Sequence, residues 1–139
     1  MIVRAPRVSF RPFGVLGASL LIALGMGVPR AFAAEAGKPL RALLITGGCC
    51  HDYDGQKKIL PEGISARANV EWTVIQEGGT STQHRVSVYA KDNWTEGYDV
   101  IVHNECFSDE KDPAWLERIV QPHREGVPAV VIHCAMHCY

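Results

Sequence analysis

Three short segments concentrate the side chains that can bind a metal, attack a carbonyl or hydrogen-bond a polyol. They are Gly47-Gly48-Cys49-Cys50-His51-Asp52-Tyr53, His103-Asn104-Glu105-Cys106, and His133-Cys134-Ala135-Met136-His137-Cys138-Tyr139. All five cysteines and four of the six histidines fall in them, and only His84 and His123 lie elsewhere. Two chemistries fit this composition. In the first, the neutral imidazoles of His51, His103 and His133 ligate a zinc-like divalent ion, with Glu105 or His137 as a further ligand or base and an open position left for a substrate. His133 and His137 are four apart and face alike only if the chain turns helical at once. In the second, Cys134 stands at a strand-to-helix turn where a helix N-terminus would lower its pKa, with His133 or His137 near in sequence. The candidate catalytic residues are therefore Glu105, His137 and Cys134. Gly47, Gly48, Asp52, Tyr53 and Asn104 are the candidates for holding substrate. Gly47-Gly48 lacks the further spaced glycines of a dinucleotide fingerprint, so no nucleotide is indicated. An odd number of cysteines leaves at least one unpaired. The neighbours Cys49 and Cys50 are not expected to pair with each other.

Such segments act together only if the fold brings them to one place. Arg41 to Thr46 holds the apolar run Ala42-Leu43-Leu44-Ile45 and ends at two glycines, the pattern of a strand buried on both faces. Asp54 to Ala68 has helical composition, with Ile59, Leu60 and Ile64 as its apolar side and Pro61 and Gly63 weakening it. Val70 to Ile75 and Tyr98 to His103 read as the second and third strands. Asp112 is a good N-cap, Pro113 suits the first helical position, and Trp115, Leu116, Ile119 and Val120 form one stripe that Pro122 is expected to end. Ala129 to His133 reads as a fourth, buried strand. The 20 residues from Gly78 to Gly97 are long for a structureless loop and should hold a short helix, part of a site, or both. This alternation is the grammar of an α/β fold, a parallel sheet with helices on both faces. In such a sheet every strand ends at the same edge, where ligands bind, and all three segments follow strand ends. Tyr139 comes six residues after the fourth strand, so the sheet is expected to be completed by further sequence, including a possible downstream domain.

The chain has 139 residues, 14 Lys plus Arg, 15 Asp plus Glu and a formal charge of -1, which excludes a nucleic-acid binder working by bulk charge. Arg4, Arg7 and Arg11 precede an uncharged stretch from Phe13 to Val28, and Ala31-Phe32-Ala33 follows. That is the pattern of a secretory signal cleaved after Ala33, giving an exported protein with no membrane segment after cleavage. Removing the segment with its four arginines takes the charge to -5. Residues 34–139 then read as the N-terminal part of one domain.

Leu43-Leu44-Ile45-Thr46-Gly47-Gly48 with His51-Asp52-Tyr53, Gly97-Tyr98-Asp99-Val100-Ile101-Val102, and Gly126-Val127-Pro128-Ala129-Val130-Val131-Ile132-His133 together resemble the ThuA-like, or trehalose-utilisation, family over about residues 40 to 139. The resemblance implies a flavodoxin-like sheet related to class I glutamine amidotransferases and an association with trehalose and other sugars. It also implies restraint about Cys134. The amidotransferase nucleophile turn is Gly-x-Cys-x-Gly, and Ile132-His133-Cys134-Ala135-Met136 keeps the Cys without either glycine, so a functional amidotransferase is not expected. The expected ligand is a sugar or keto-sugar, with Tyr53, Trp94 and Tyr139 offering ring faces and Asp52, Asn104 and Glu105 offering hydrogen bonds. The alternative is a noncatalytic carbohydrate-binding or interaction module attached to a downstream domain.

Overall fold

The computed structural model describes residues 37–138; the segment expected to be an export signal, residues 1–33, and Tyr139 lie outside them. In chain order the elements are β1 (Leu40–Gly48), α1 (Tyr53–Ser65), β2 (Val70–Gln76), β3 (Val100–Cys106), α2 (Pro113–Arg124) and β4 (Ala129–Val131), with short 3-10 turns at Ser87–Ala90 and His133–His137. The four strands form one parallel sheet in the order β2-β1-β3-β4. This is the α/β architecture expected from the alternating pattern, with four strands and two helices.

Strand alternation divides the sheet into two unlike faces. Leu43, Ile45 and Ile101 point into the main core with Val86, Tyr89, Trp94, Phe107, Trp115 and Ile119, so α2 and the β2–β3 connection cover this face. The opposite face carries Thr46, Asn104 and Cys106. There α1 is tied down by Asn104 Nδ2, which donates to Gln56 Oε1 at 2.9 Å and to Thr46 Oγ1 at 3.3 Å. Of the α1 side chains expected to form its apolar side, Ile59 is 66% exposed and Ile64 39% exposed, and the buried residue of the helix is Tyr53 at its start.

Three expectations change in the structure. Pro122 does not end α2, which runs to Arg124. An internal proline leaves the carbonyl four residues back without its helical donor, and here that carbonyl, Arg118 O, accepts from the indole Nε1 of Trp94 at 3.0 Å. Trp94 is therefore a core residue rather than a sugar platform. Residues Ala129 to Val131 of β4 are exposed, because β4 is the last strand in the order and pairs only with β3 among the described residues. The long connection does hold a short helical turn. Its Ser87–Ala90 segment buries Val88 and Tyr89, and Arg118 pins it to α2 by donating to the carbonyls of Tyr89 at 3.1 Å and Ala90 at 2.9 Å.

Candidate functional site: a thiol and imidazole cluster at the carboxyl edge

Two glycines determine how the first segment leaves the sheet. Gly47 and Gly48 have φ of 134° and 96°, and a Cβ on either would collide with a neighbouring backbone carbonyl, that of Glu77 or that of Cys106. The pair, expected to touch substrate, is buried between β2 and β3 and serves to let the chain cross the sheet edge. Asp52, also expected at the substrate, is exposed and caps α1, its Oδ1 accepting from Gly55 N–H at 2.9 Å. At the same edge, after β4, Ile132 N–H donates to His103 O at 2.9 Å, and the chain then turns at His133.

These two departures bring His51, His133 and Cys134 together, with one ligand atom from each all within 4.8 Å of one another. His51 Nε2 is 2.9 Å from Cys134 Sγ, and the rings of His51 and His133 meet edge to face with centroids 5.0 Å apart. The three line a cavity of about 270 Å³ whose wall also includes Tyr53, Gln56 and Asn104. Among the described residues the non-glycine positions with positive φ are Cys50 at 84° and His133 at 39°, both within this region. Strained backbone of this kind costs about 1–3 kcal/mol and clusters at working sites. His137, at the end of the turn, is exposed and outside the cluster.

The electrostatics disfavour Cys134 as a free nucleophile. Burial, with Cys106 beside it, pushes the Cys134 thiol up, and burial pushes Cys138 up to about 12. This is opposite to the lowering expected for a thiol at a helix N-terminus, because the segment after β4 is a single five-residue 3-10 turn. Without a metal Cys134 is a protonated thiol able to donate to His51 Nε2. Tyr53 is buried, and its hydroxyl has no hydrogen-bond partner among the described residues. Burial and then the thiols of Cys106, Cys134 and Cys138 raise its pKa, so it stays a neutral donor.

A second group of sulfurs adjoins the first. Cys49 and Cys50 form a disulfide, contrary to expectation. Extended chain sends adjacent side chains to opposite sides, and the positive φ of Cys50 turns its side chain back to meet that of Cys49. Cys106 Sγ lies 3.6 Å from Cys49 Sγ, and Cys138 Sγ approaches the carbonyls of Cys134 at 3.0 Å and Glu105 at 3.3 Å.

His103 and Glu105 do not reach this cavity. They alternate with Asn104 and Cys106 along β3 and point to the opposite face, where both are buried. Glu105 Oε1 accepts from the Tyr89 hydroxyl at 2.5 Å and lies 3.0 Å from His103 Nδ1, while Glu105 Oε2 has no partner. His103 Nε2 faces His123 Nε2 at 3.0 Å, and His123 Nδ1 faces Val127 O at 2.9 Å. The carbonyl can only accept, so His123 carries its proton on Nδ1 and accepts at Nε2; His103 then donates from Nε2. Burial lowers the pKa of His123, which keeps it neutral and able to accept. The Tyr89 hydroxyl also lies 3.1 Å from His103 Nδ1, so it sits between the imidazole and the Glu105 carboxyl. Cys134 thus takes the place expected for His103 beside His51 and His133, and Glu105 belongs to an enclosed hydrogen-bonded chain. Sequence reasoning missed Tyr89 and His123 in that chain. Neither has a spacing signal, since one sits in the long connection and the other in the last turn of α2.

The described residues thus hold two groups of metal-ligating atoms within 4.8 Å of one another: His51, His133 and Cys134, and Cys49, Cys50 and Cys106, two of whose sulfurs are joined as a disulfide. Among the described residues no helix is long and apolar enough to cross a membrane. No family model, curated protein or solved structure matches the chain.

Proposed function

We propose that the chain is an exported, ThuA-like domain of flavodoxin-like topology that holds a zinc-like divalent ion on His51, His133 and Cys134 and acts with it on a sugar or keto-sugar. The observation that carries this reading is the convergence of three ligand atoms within 4.8 Å on the wall of a cavity at the carboxyl edge of the sheet. The strand order, in which β1 and β3 lie between β2 and β4, puts this cavity beside the point where the chain reverses direction across the sheet, the usual ligand position in open α/β folds. Two neutral imidazoles and one thiolate suit zinc and leave a divalent site one net positive charge, enough to polarise a carbonyl or hydroxyl. Asn104 and Gln56 line the cavity as polar groups for hydroxyls, and Tyr53 supplies an aromatic wall.

Metal analysis of untagged protein tests the first part. The expected result is close to one divalent ion per chain, lost in the His51→Ala, His133→Ala double variant. Calorimetric titration with trehalose and keto-sugars tests the second, with saturable binding weakened by Asn104→Ala. Metal-free protein that binds such sugars normally would overturn the metal assignment, and no saturable binding by metal-loaded protein would overturn the sugar assignment.

A further inference from the structure

Strand register places a third sulfur beside the Cys49–Cys50 pair. Gly48 is paired with Cys106 at the end of the β1–β3 ladder, and Cys49 N–H donates to Cys106 O at 3.3 Å, so the residue that follows β1 lies over the last residue of β3. Cys106 Sγ is 3.6 Å from Cys49 Sγ, and the sulfurs of Cys49, Cys50 and Cys106 are all within 4.8 Å of one another. This shape separates two uses of three sulfurs. In thiol–disulfide exchange a third sulfur attacks along the breaking bond. With an ordinary S–S bond and the observed approach, a linear arrangement would set the outer sulfurs about 5.6 Å apart. The three sulfurs form a triangle instead, which is poor for in-line attack and suited to donors around one ion.

We propose that, once the Cys49–Cys50 bond is reduced, Cys49, Cys50 and Cys106 form a three-thiolate site for a soft monovalent ion of the Cu(I) class. The reductant is a dithiol. It gives up two electrons and two protons, its own sulfurs join as a disulfide, and Cys49 and Cys50 become thiols. Ion binding then displaces thiol protons to water. Thiolates select soft ions, and the three sulfurs that lie within 4.8 Å of one another make a three-donor set, with Cys134 and Cys138 beside Cys106 but outside that set, whereas zinc at a structural site takes four ligands. Burial gives the site a floor and a mouth: Cys106 is buried, Cys49 partly so, and Cys50 is exposed. Tyr53 packs against Cys106 in the same cluster, and its buried hydroxyl, with no partner of its own, is placed to donate to thiolate charge. The site shares no residue with the His51, His133 and Cys134 cluster and does not depend on the function proposed for it.

The test is an anaerobic Cu(I) titration of the full chain, reduced with dithiothreitol and desalted, against a chromophoric Cu(I) chelator. Reduced wild-type protein should take up one Cu(I) that the disulfide form does not. Cys106→Ser and Cys50→Ser should each lower the affinity at least about tenfold, since even an outer-sphere partner of a metal ligand is worth that much. The His51→Ala, His133→Ala variant should keep the site, and X-ray absorption should show sulfur neighbours only. Because Cys50 is exposed, Cys50→Ser carries the test should Cys106→Ser fail to fold. Equal uptake by disulfide and reduced protein, or unchanged affinity in Cys50→Ser, would overturn the proposal. Loss of the site in the double histidine variant, or nitrogen neighbours in the spectrum, would move the ion to the other cluster and equally overturn it.

Discussion

Replacing Trp94 by Phe should cost far more stability in the native sequence than in a chain that also carries Pro122→Ala. The reason is a single acceptor. Pro122 has no N–H to give Arg118 O, four residues back in α2, and the indole Nε1 of Trp94 supplies the bond instead at 3.0 Å. Trp94→Phe therefore orphans a partly buried carbonyl, at about 1–3 kcal/mol, and adds a packing loss for the smaller ring. With Ala at 122 the helix supplies its own N–H to the same carbonyl, so only the packing loss remains. The cost of Trp94→Phe should then shrink by roughly 1–2 kcal/mol, the net worth of one hydrogen bond against an unsatisfied group. Urea unfolding of the four proteins of this cycle, followed by far-UV circular dichroism, measures it. Agreement of the two Trp94→Phe costs within about 0.5 kcal/mol, the range expected of uncoupled sites, would refute the assignment of the indole as the stand-in donor. The indole also lies against His103 and His123, with centroids 6.2 and 5.8 Å away, so the same variant loosens one wall of the buried hydrogen-bonded chain.

Further outcomes follow from other groups. Hydrogen bonds from Arg41 hold the Asp99 carboxyl down to about 2 from 3.8. Its stabilisation should be complete above pH 3.8 and fade as pH falls through about 2, and Asp99→Asn should remove that part of the acid unfolding curve. Burial lowers the His123 pKa, so below 6.5 the unfolded chain binds more protons there than the folded one. Stability should fall as pH drops below 6.5, more steeply in wild-type protein than in His123→Gln, measured as urea midpoint against pH. Gly48→Ala should cost more than the roughly 1–3 kcal/mol of strained φ alone, because its Cβ would meet the Cys106 carbonyl. Gly63→Ala, with no heavy atom within 4 Å of the added carbon and a helical position in α1, should stabilise by about 0.5–1 kcal/mol in the same assay.

Continuous apolar runs made β1 and β3 legible, and Asp112-Pro113 made the start of α2 legible, because buried parallel strands and helix caps are local patterns. The end of α2 was not, since whether Pro122 stops the helix depends on a donor 28 residues away in the connection. The gathering of Cys and His at one edge could be read from strand ends. Which of them meet could not, because strand ends give an edge but alternation along β3 gives a side. His103 and Asn104 are neighbours in sequence, yet one bonds Glu105 and His123 beneath α2 and the other bonds Gln56 beneath α1. The Cys49–Cys50 bond was hidden for a related reason, as it needs a positive φ that a non-glycine residue does not announce.

That alternation makes β3 tolerant of one kind of genetic change and vulnerable to another. Its last four residues serve two separate sets of contacts in turn: His103 and Glu105 the enclosed hydrogen-bonded chain, Asn104 and Cys106 the edge cavity and the three neighbouring sulfurs. A substitution touches one of them. Deletion or insertion of a single codon upstream in the strand would rotate the whole run, sending a carboxylate toward the thiols and a thiol beneath α2. Length variation among descendants of this sequence should therefore be accommodated in the connection before Val100 or after Cys106, while the spacing of these four positions stays fixed.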